Sequence, residues 1–191
     1  MRELKSVEEK ILDRALYLFG KNGSTNVPIR TIAKEANVNV SAINYYFGSK
    51  DEMIRTVQAF YIENTIAAYL PLDNDELNDE EKLVLCLNEI MEYSLRYPGV
   101  LVILKEAVNA EEKDEMANKI IDITANMNNK LDEVLIRVFK ASEKDFQYKR
   151  AIVLSSILYP TNDDNIGLFD KGILENKIER INYIKYILKI L

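Results

Sequence analysis

Val40, Ser41, Ala42, Asn44, Tyr45, Tyr46 and Lys50 fall within a stretch of eleven residues, and they are types that a helical core has little use for. Small side chains at the front of a helix let its backbone come close to a partner. The amide, phenol and ammonium groups behind them can bond base edges or phosphates. Within the same stretch Ile43 and Phe47 are four apart, so one narrow face can be buried while the others gain nothing from the chain's own interior. Taken as pattern alone, the stretch also fits an ordinary helical hairpin inside an all-α core.

The elements that must position these groups can be read from local spacing. Ile29, Ile32, Ala33 and Ala36 give one apolar face to a helix over 29–36, and the small Ala33 lets a second helix cross it closely. Asn37 follows where a residue with positive φ would end that helix, Val38 plugs the turn, and Asn39 caps a helix that starts at Val40. Ahead of this pair, Ser6 with Glu9 forms a capping box for a first helix. Its stripe of Val7, Ile11, Leu12, Ala15, Leu18 and Phe19 is wide enough to cover both later helices, and Gly23 stops it. Ser49 with Glu52 opens a fourth helix from Lys50 to about Leu70. The acidic segment LPLDNDELNDEE reads as a surface loop without calcium-loop spacing. Asn78 with Glu81 caps a helix that runs to the turn at Tyr97, and a short helix follows over 100–108. A long helix over 113–140, one from Ser142 to Pro160 and a last one over 174–190 complete the chain. No repeat or strand-like alternation appears, so the expected fold is all-α with about nine helices, the first three forming an N-terminal head.

Composition excludes several kinds of chemistry. The 191 residues include no His and one Cys, so His triads, His-metal clusters and internal disulfides cannot form. Cys86 sits among Leu83, Val84, Leu85 and Leu87 and reads as a small buried hydrophobe. The adjacent pairs Glu111 with Glu112 and Asp163 with Asp164 lack an accompanying nucleophile, phosphate loop or ligand set, so no enzyme, metal or cofactor is expected. The N-terminus is charged throughout and no apolar run approaches bilayer length, which predicts a cytoplasmic protein without membrane contact. The net charge of −6 is unevenly divided. Residues 1–55 carry nine basic against seven acidic side chains, or +2, while residues 56–191 carry sixteen against twenty-four, or −8. A positive head can meet phosphates while an acidic body stays clear of them.

The last two helices carry more apolar surface than one core needs: Ala151, Leu154, Ile157 and Leu158 on one, and Ile178, Ile181, Ile184, Ile187, Leu188 and Ile190 on the other. An isologous two-fold contact would cover the excess. The candidate interface residues are Leu154, Ser155, Leu158, Ile181, Ile184 and Leu188.

The segment continues as YYFGSKDEMI: an aromatic pair, Phe, a two-residue turn, Lys and an acidic helix start. With Ile11, Leu12, Ala15, Phe19, Gly23, Ile32, Ala33, Ala36, Val38, Ile43, Tyr46, Phe47 and Lys50, it resembles the TetR family of one-component transcriptional repressors over some fifty N-terminal residues. The rest of the chain agrees with the family in length and helical character. Carried over where the motif matches, the resemblance implies that Arg30 and Thr31 contact phosphate from the start of the preceding helix. It implies that Val40, Ser41 and Ala42 approach base edges, a thymine methyl suiting Val40 or Ala42, and that Tyr45, Tyr46 and Lys50 hold the sugar-phosphate backbone. Asn44 stands where the family often has Tyr, and Tyr45 where it often has His, so base preference does not carry over; Asn44 could make the paired contact to adenine or bond a phosphate, with the phosphate preferred. The resemblance implies a helix-turn-helix DNA-binding domain over 1–48 and an effector-binding and dimerisation domain over 49–191. It also implies a four-helix bundle between two subunits, a near-palindromic double-stranded operator, and a repressor released by a small molecule. A TetR-like effector pocket would draw on Phe60, Tyr61, Tyr93, Tyr97, Leu104, Met116, Ile123 and Met127, whose aromatic and Met side chains suit a mostly apolar ligand. The alternative is a TetR-fold module that docks another protein and does not act through DNA.

Overall fold

Short-range side-chain caps set the helix starts of this chain. They appear in the computed structural model, which describes residues 6–162 and 171–191. Ser6 Oγ accepts the Glu9 amide at 3.0 Å and opens α1, Val7–Asn22. Gly23, at φ 65°, ends it in the left-handed conformation that L side chains resist. Helix α2, Ile29–Glu35, and helix α3, Val40–Phe47, follow. Ser49 Oγ accepts the Glu52 amide at 3.1 Å at the start of α4, Lys50–Tyr69. Asn78 and Glu81 cap each other's backbone N–H at 3.0 Å ahead of α5, Asp79–Arg96. Then come α6, Gly99–Asn109, α7, Glu115–Phe139, and α8, Glu143–Leu158, whose Ser142 cap accepts the Asp145 amide. Helices α9, Lys171–Glu175, and α10, Lys177–Ile190, close the described chain. Among the described residues there is no strand, and the fold is all-α as expected.

Two details differ from the sequence reading. The acidic segment after α4 is not wholly a loop: Leu70–Asp73 forms a 3-10 turn, and Leu72 is buried in it. Pro71 is tolerated there because a first-turn position has no helical partner for an N–H. The last helix is broken, because Asn176 takes an extended backbone and its side chain accepts the amides of Ile178 and Glu179. Asn is a strong N-cap and a middling interior residue, so the chain restarts at Lys177 instead of running through. The buried Arg180 secures this corner, donating to the Leu174 carbonyl, to Asn88 Oδ1 and to Glu92 Oε2.

The chain forms two compact units, residues 1–64 with 96–123, and residues 65–95 with 124–191. In the first, α1 packs on α2, α3 and α6 around Ile11, Leu16, Phe19, Ile32 and Ile43, all fully buried. The α1–α6 seam depends on glycine: a Cβ at Gly99 would lie 2.1 Å from the Leu16 carbonyl oxygen, and one at Gly20 would lie 2.5 Å from the Gly99 nitrogen. Asp13, buried on α1, accepts from Arg14 and also from the Arg96 guanidinium at 2.9 Å. A buried carboxylate needs such pairing. The second unit is built on Leu83, Leu87, Met91, Leu131, Leu135, Val153 and Ile184. Cys86 lies in this core, where burial pushes its thiol up to about 12, as suits the small hydrophobe expected there. No helix among the described residues is long and apolar enough to cross a membrane.

Candidate nucleic-acid interface

The α2–α3 pair is held by backbone closure of its turn. The Ala36 amide donates to the Ile32 carbonyl at 2.9 Å and the Val38 amide to the Ala33 carbonyl at 2.9 Å. Between them Asn37 adopts φ 54°, the left-handed geometry expected of it. The next cap is Asn39, whose Oδ1 accepts the Ser41 amide at 3.0 Å. Ile32, Ala33, Ile43 and Phe47 point inward and are buried. That fixes which side of α3 faces out.

The outward side carries the predicted groups. Ser41, Asn44, Tyr45 and Tyr46 are exposed, Val40 and Ala42 are half-buried, and Tyr45 reaches 83% exposure. Such exposure of a tyrosine ring is unusual for a folded chain, because a phenol ring buries large apolar area wherever a partner exists. The Tyr45 and Tyr46 rings stand edge to face with centroids 5.2 Å apart, which stiffens the pair. On α2, Arg30, Thr31 and Lys34 are exposed, and neither cation forms an ion pair among the described residues. Lys50, at the first turn of α4, donates from Nζ to Asn26 Oδ1 at 3.1 Å. The structure therefore gathers Arg30, Thr31, Val40, Ser41, Ala42, Asn44, Tyr45, Tyr46 and Lys50 into the first unit, with base-edge candidates on α3 and cationic candidates beside it.

The expected ligand-contacting residues are not gathered in the same way. Phe60, Tyr61, Tyr97, Leu104, Met116 and Ile123 fall in the first unit, Tyr93 and Met127 in the second. Phe60, Tyr61 and Tyr97 are buried, and the Phe60 and Tyr97 rings pack edge to face at 5.9 Å, so they serve the interior of their unit. Leu104, Met116, Ile123, Tyr93 and Met127 are half-buried. A cleft of about 290 Å³ in the first unit is lined by Ser6, Glu8, Glu9, Leu12, Thr56, Ala59, Phe60 and Glu63, of which Phe60 alone was expected to contact ligand.

Of the residues expected between subunits, Ile184 and Leu188 are covered by the chain's own helices. Leu154, Leu158 and Ile181 are half-buried and Ser155 is exposed. The exposed large apolar groups of these two helices are Tyr148 and Ile152 on α8, Tyr159 at its C-terminal cap, and Ile178, Tyr186 and Ile190 on α10. Along α10, positions 178, 182, 186 and 190 form one i, i+4 row while 184 and 188 lie on the adjoining inward row. Among the described residues no group of acidic or Cys side chains could hold a metal, and the Asp163–Asp164 pair lies outside the described residues. Asn26, Thr25 and Glu106 escaped the sequence reading, because their bonds join positions 24 to 81 residues apart.

Helices α1 to α3, with α2 and α3 tightly turned on each other and the outward side of α3 left uncovered, form a helix-turn-helix module. Residues 11–57 match the family of bacterial regulatory proteins described as the tetR family. That match covers the head, about a quarter of the chain, and over its length the chain has the fold of solved TetR-family regulators. A stretch of 57 residues is 40% identical to "Probable HTH-type transcriptional regulator YttP" of Bacillus subtilis (strain 168), taking in 29% of this chain and 28% of that protein. The crystal structure of the TetR family transcriptional regulator PfmR from Thermus thermophilus matches 94% of this chain and 97% of its own, with a TM-score of 0.64 and 20% identity. The ketosteroid transcriptional regulator KstR2 of Mycobacterium tuberculosis matches 98% and 95%, with a TM-score of 0.71 and 15% identity.

Proposed function

We propose that this chain is a homodimeric, DNA-binding transcriptional repressor that a small, mostly apolar effector releases from a near-palindromic operator. The observation that carries the reading is the outward side of α3, where Tyr45 and its neighbours are left uncovered beside the exposed cations of α2. In this reading the head comprises residues 1–48 and the remainder carries effector and partner subunit. Val40, Ser41 and Ala42 approach base edges. Arg30, Thr31, Asn44, Tyr45, Tyr46 and Lys50 hold the backbone and set register. The exposed rows on α8 and α10 bury each other across a two-fold axis, with Leu154, Ser155, Leu158 and Ile181 at their margins. Two heads related by one axis then address successive major grooves about 34–36 Å apart.

Release requires an effector that binds the low-affinity state better than the DNA-bound one, since equal binding would shift nothing. The half-buried Leu104, Met116 and Ile123 offer it apolar contact. A structural neighbour named a ketosteroid regulator is in keeping with an apolar effector. In this reading the protein works in the cytoplasm. The test is selection of duplexes from a random-sequence pool, followed by sedimentation of the free protein. Recovery of an inverted repeat and a dimer supports the reading. Failure to enrich any duplex overturns it in favour of a fold that docks other proteins.

A further inference from the structure

Glu106, in the last turns of α6, reaches a loop that belongs to the head. Its Oε1 accepts the Thr25 amide at 3.0 Å and the Ser24 hydroxyl at 3.4 Å, while Oε2 accepts the Thr25 hydroxyl at 2.7 Å. One carboxylate thus takes three donors from two consecutive residues, which fixes the path of the chain between α1 and α2. Ser24 Oγ also accepts the Asn26 amide at 3.1 Å, carrying the constraint one residue further. Asn26 in turn presents Oδ1 to Lys50 Nζ at 3.1 Å. The chain of bonds runs from α6 through the loop to the ammonium at the start of α4.

The base of this chain is itself fixed. α6 cannot slide on α1, because Gly99 sits against the Leu16 carbonyl with no room for a Cβ, and the Asp13–Arg96 ion pair ties α1 to the residue three before Gly99. We infer that Glu106 is a positioning residue for DNA binding: it holds the 24–26 loop so that Asn26 aims the Lys50 ammonium at the operator backbone. The inference rests on the DNA-binding reading above. Lysine has a flexible four-carbon stem, and an ammonium that is aimed beforehand loses less freedom when it meets a phosphate. Charge alone predicts the opposite sign. Removing a carboxylate from a protein of net charge −6 should strengthen binding to a polyanion.

The opposed signs make the test decisive. With a duplex selected by the wild-type protein from a random-sequence pool, Glu106→Ala should bind about tenfold more weakly, the effect of losing the one charge-assisted bond that an aimed Lys50 makes to phosphate. Glu106→Gln can still accept the Thr25 amide and can donate to its hydroxyl, so it should recover most of the affinity. Thr25→Val removes only the hydroxyl bond and should fall between. In a Lys50→Ala background Glu106→Ala should add little, because coupled residues do not contribute independently. Equal or tighter binding by Glu106→Ala would overturn the inference and leave the DNA reading standing, as would additivity with Lys50→Ala. If the wild-type chain itself selects no duplex, the DNA reading falls and takes the inference with it.

Discussion

Replacing Gly99 by Ala tests the seam on which the head is seated. The added methyl would lie 2.1 Å from the Leu16 carbonyl oxygen, 3.0 Å from its carbon and 3.1 Å from the Gly20 nitrogen, all of them backbone atoms that cannot swing aside as a side chain would. Restoring even a 3.0 Å contact would require α1 and α6 to part by about 0.9 Å. The same movement would strain the 2.9 Å bond between buried Asp13 on α1 and Arg96, three residues before Gly99. Overpacking of this kind costs about 1–3 kcal/mol, and the weakened ion pair places the expected loss near the top of that range. For a chain of this length each kcal/mol lowers Tm by about 2–4 °C, so Gly99→Ala should melt roughly 6–12 °C below the wild type. Thermal melting and urea titration both report it. Gly23→Ala is the control: nothing lies within 4 Å of its Cβ, but φ is +65°, and the strain should cost only ~1 kcal/mol. If Gly99→Ala melts with the wild type, or less than Gly23→Ala departs from it, the close approach of α1 and α6 is not what orders this unit.

Lys50→Ala should weaken binding to every duplex sequence alike and lower the salt slope by about 0.9 for each head, whereas substitutions at Ser41 or Ala42 should change which duplex is selected; an unchanged slope removes Lys50 from the phosphate contacts. Tyr186→Glu should leave helix content intact, since the side chain is 64% exposed, but should bring like charges together across the two-fold axis and give monomers in sedimentation; a persistent dimer would place the subunit contact elsewhere. Cys86, whose thiol is pushed up to about 12 by burial, should stay protonated and resist iodoacetamide at pH 8 until urea unfolds the chain. Its folded value lies above its unfolded one. That contribution to stability is therefore whole below about pH 9 and declines as pH rises toward 12, a decline that should be shallower in Cys86→Ala.

What could be read in the sequence was what the chain settles over three or four residues. Ser6 with Glu9, Ser49 with Glu52, Asn78 with Glu81 and Ser142 with Asp145 each satisfy a helix end from within its own first turn, so the residue types announce the geometry. Asn37 likewise discloses its positive φ because few other side chains tolerate it. Asn176 obeys the same rule, but it lay inside an apolar period continuous enough to suggest one helix, and the cap prevailed because it satisfies two amides at once. The interior row of α10 shows the limit of periodicity: it predicts that Ile184 and Leu188 share a face but not whether that face meets the chain's own core or a second copy. The bonds of Asp13 to Arg96, Glu92 to Arg180 and Glu106 to Thr25 span 83, 88 and 81 residues, and no local pattern marks either partner.

The candidate interface belongs between these cases. The side chains of α3 were legible as a set because the helix has too little apolar face to justify so many rings and amides, and the fold leaves them uncovered as that deficit requires. Ile43 and Phe47 beneath them were legible too, but the bonds that hold Lys50 were not. What steadies the Lys50 ammonium beside α3 sits on other elements: Asn26 in the loop before α2, Thr25 next to it, and Glu106 on a helix that begins fifty-nine positions after α3 does. Selection of small and polar types on the reading face is a short-range signature, while the rigidity that makes such a face useful is assembled from distant residues whose individual types, Glu, Thr and Asn, are ordinary surface residues anywhere else.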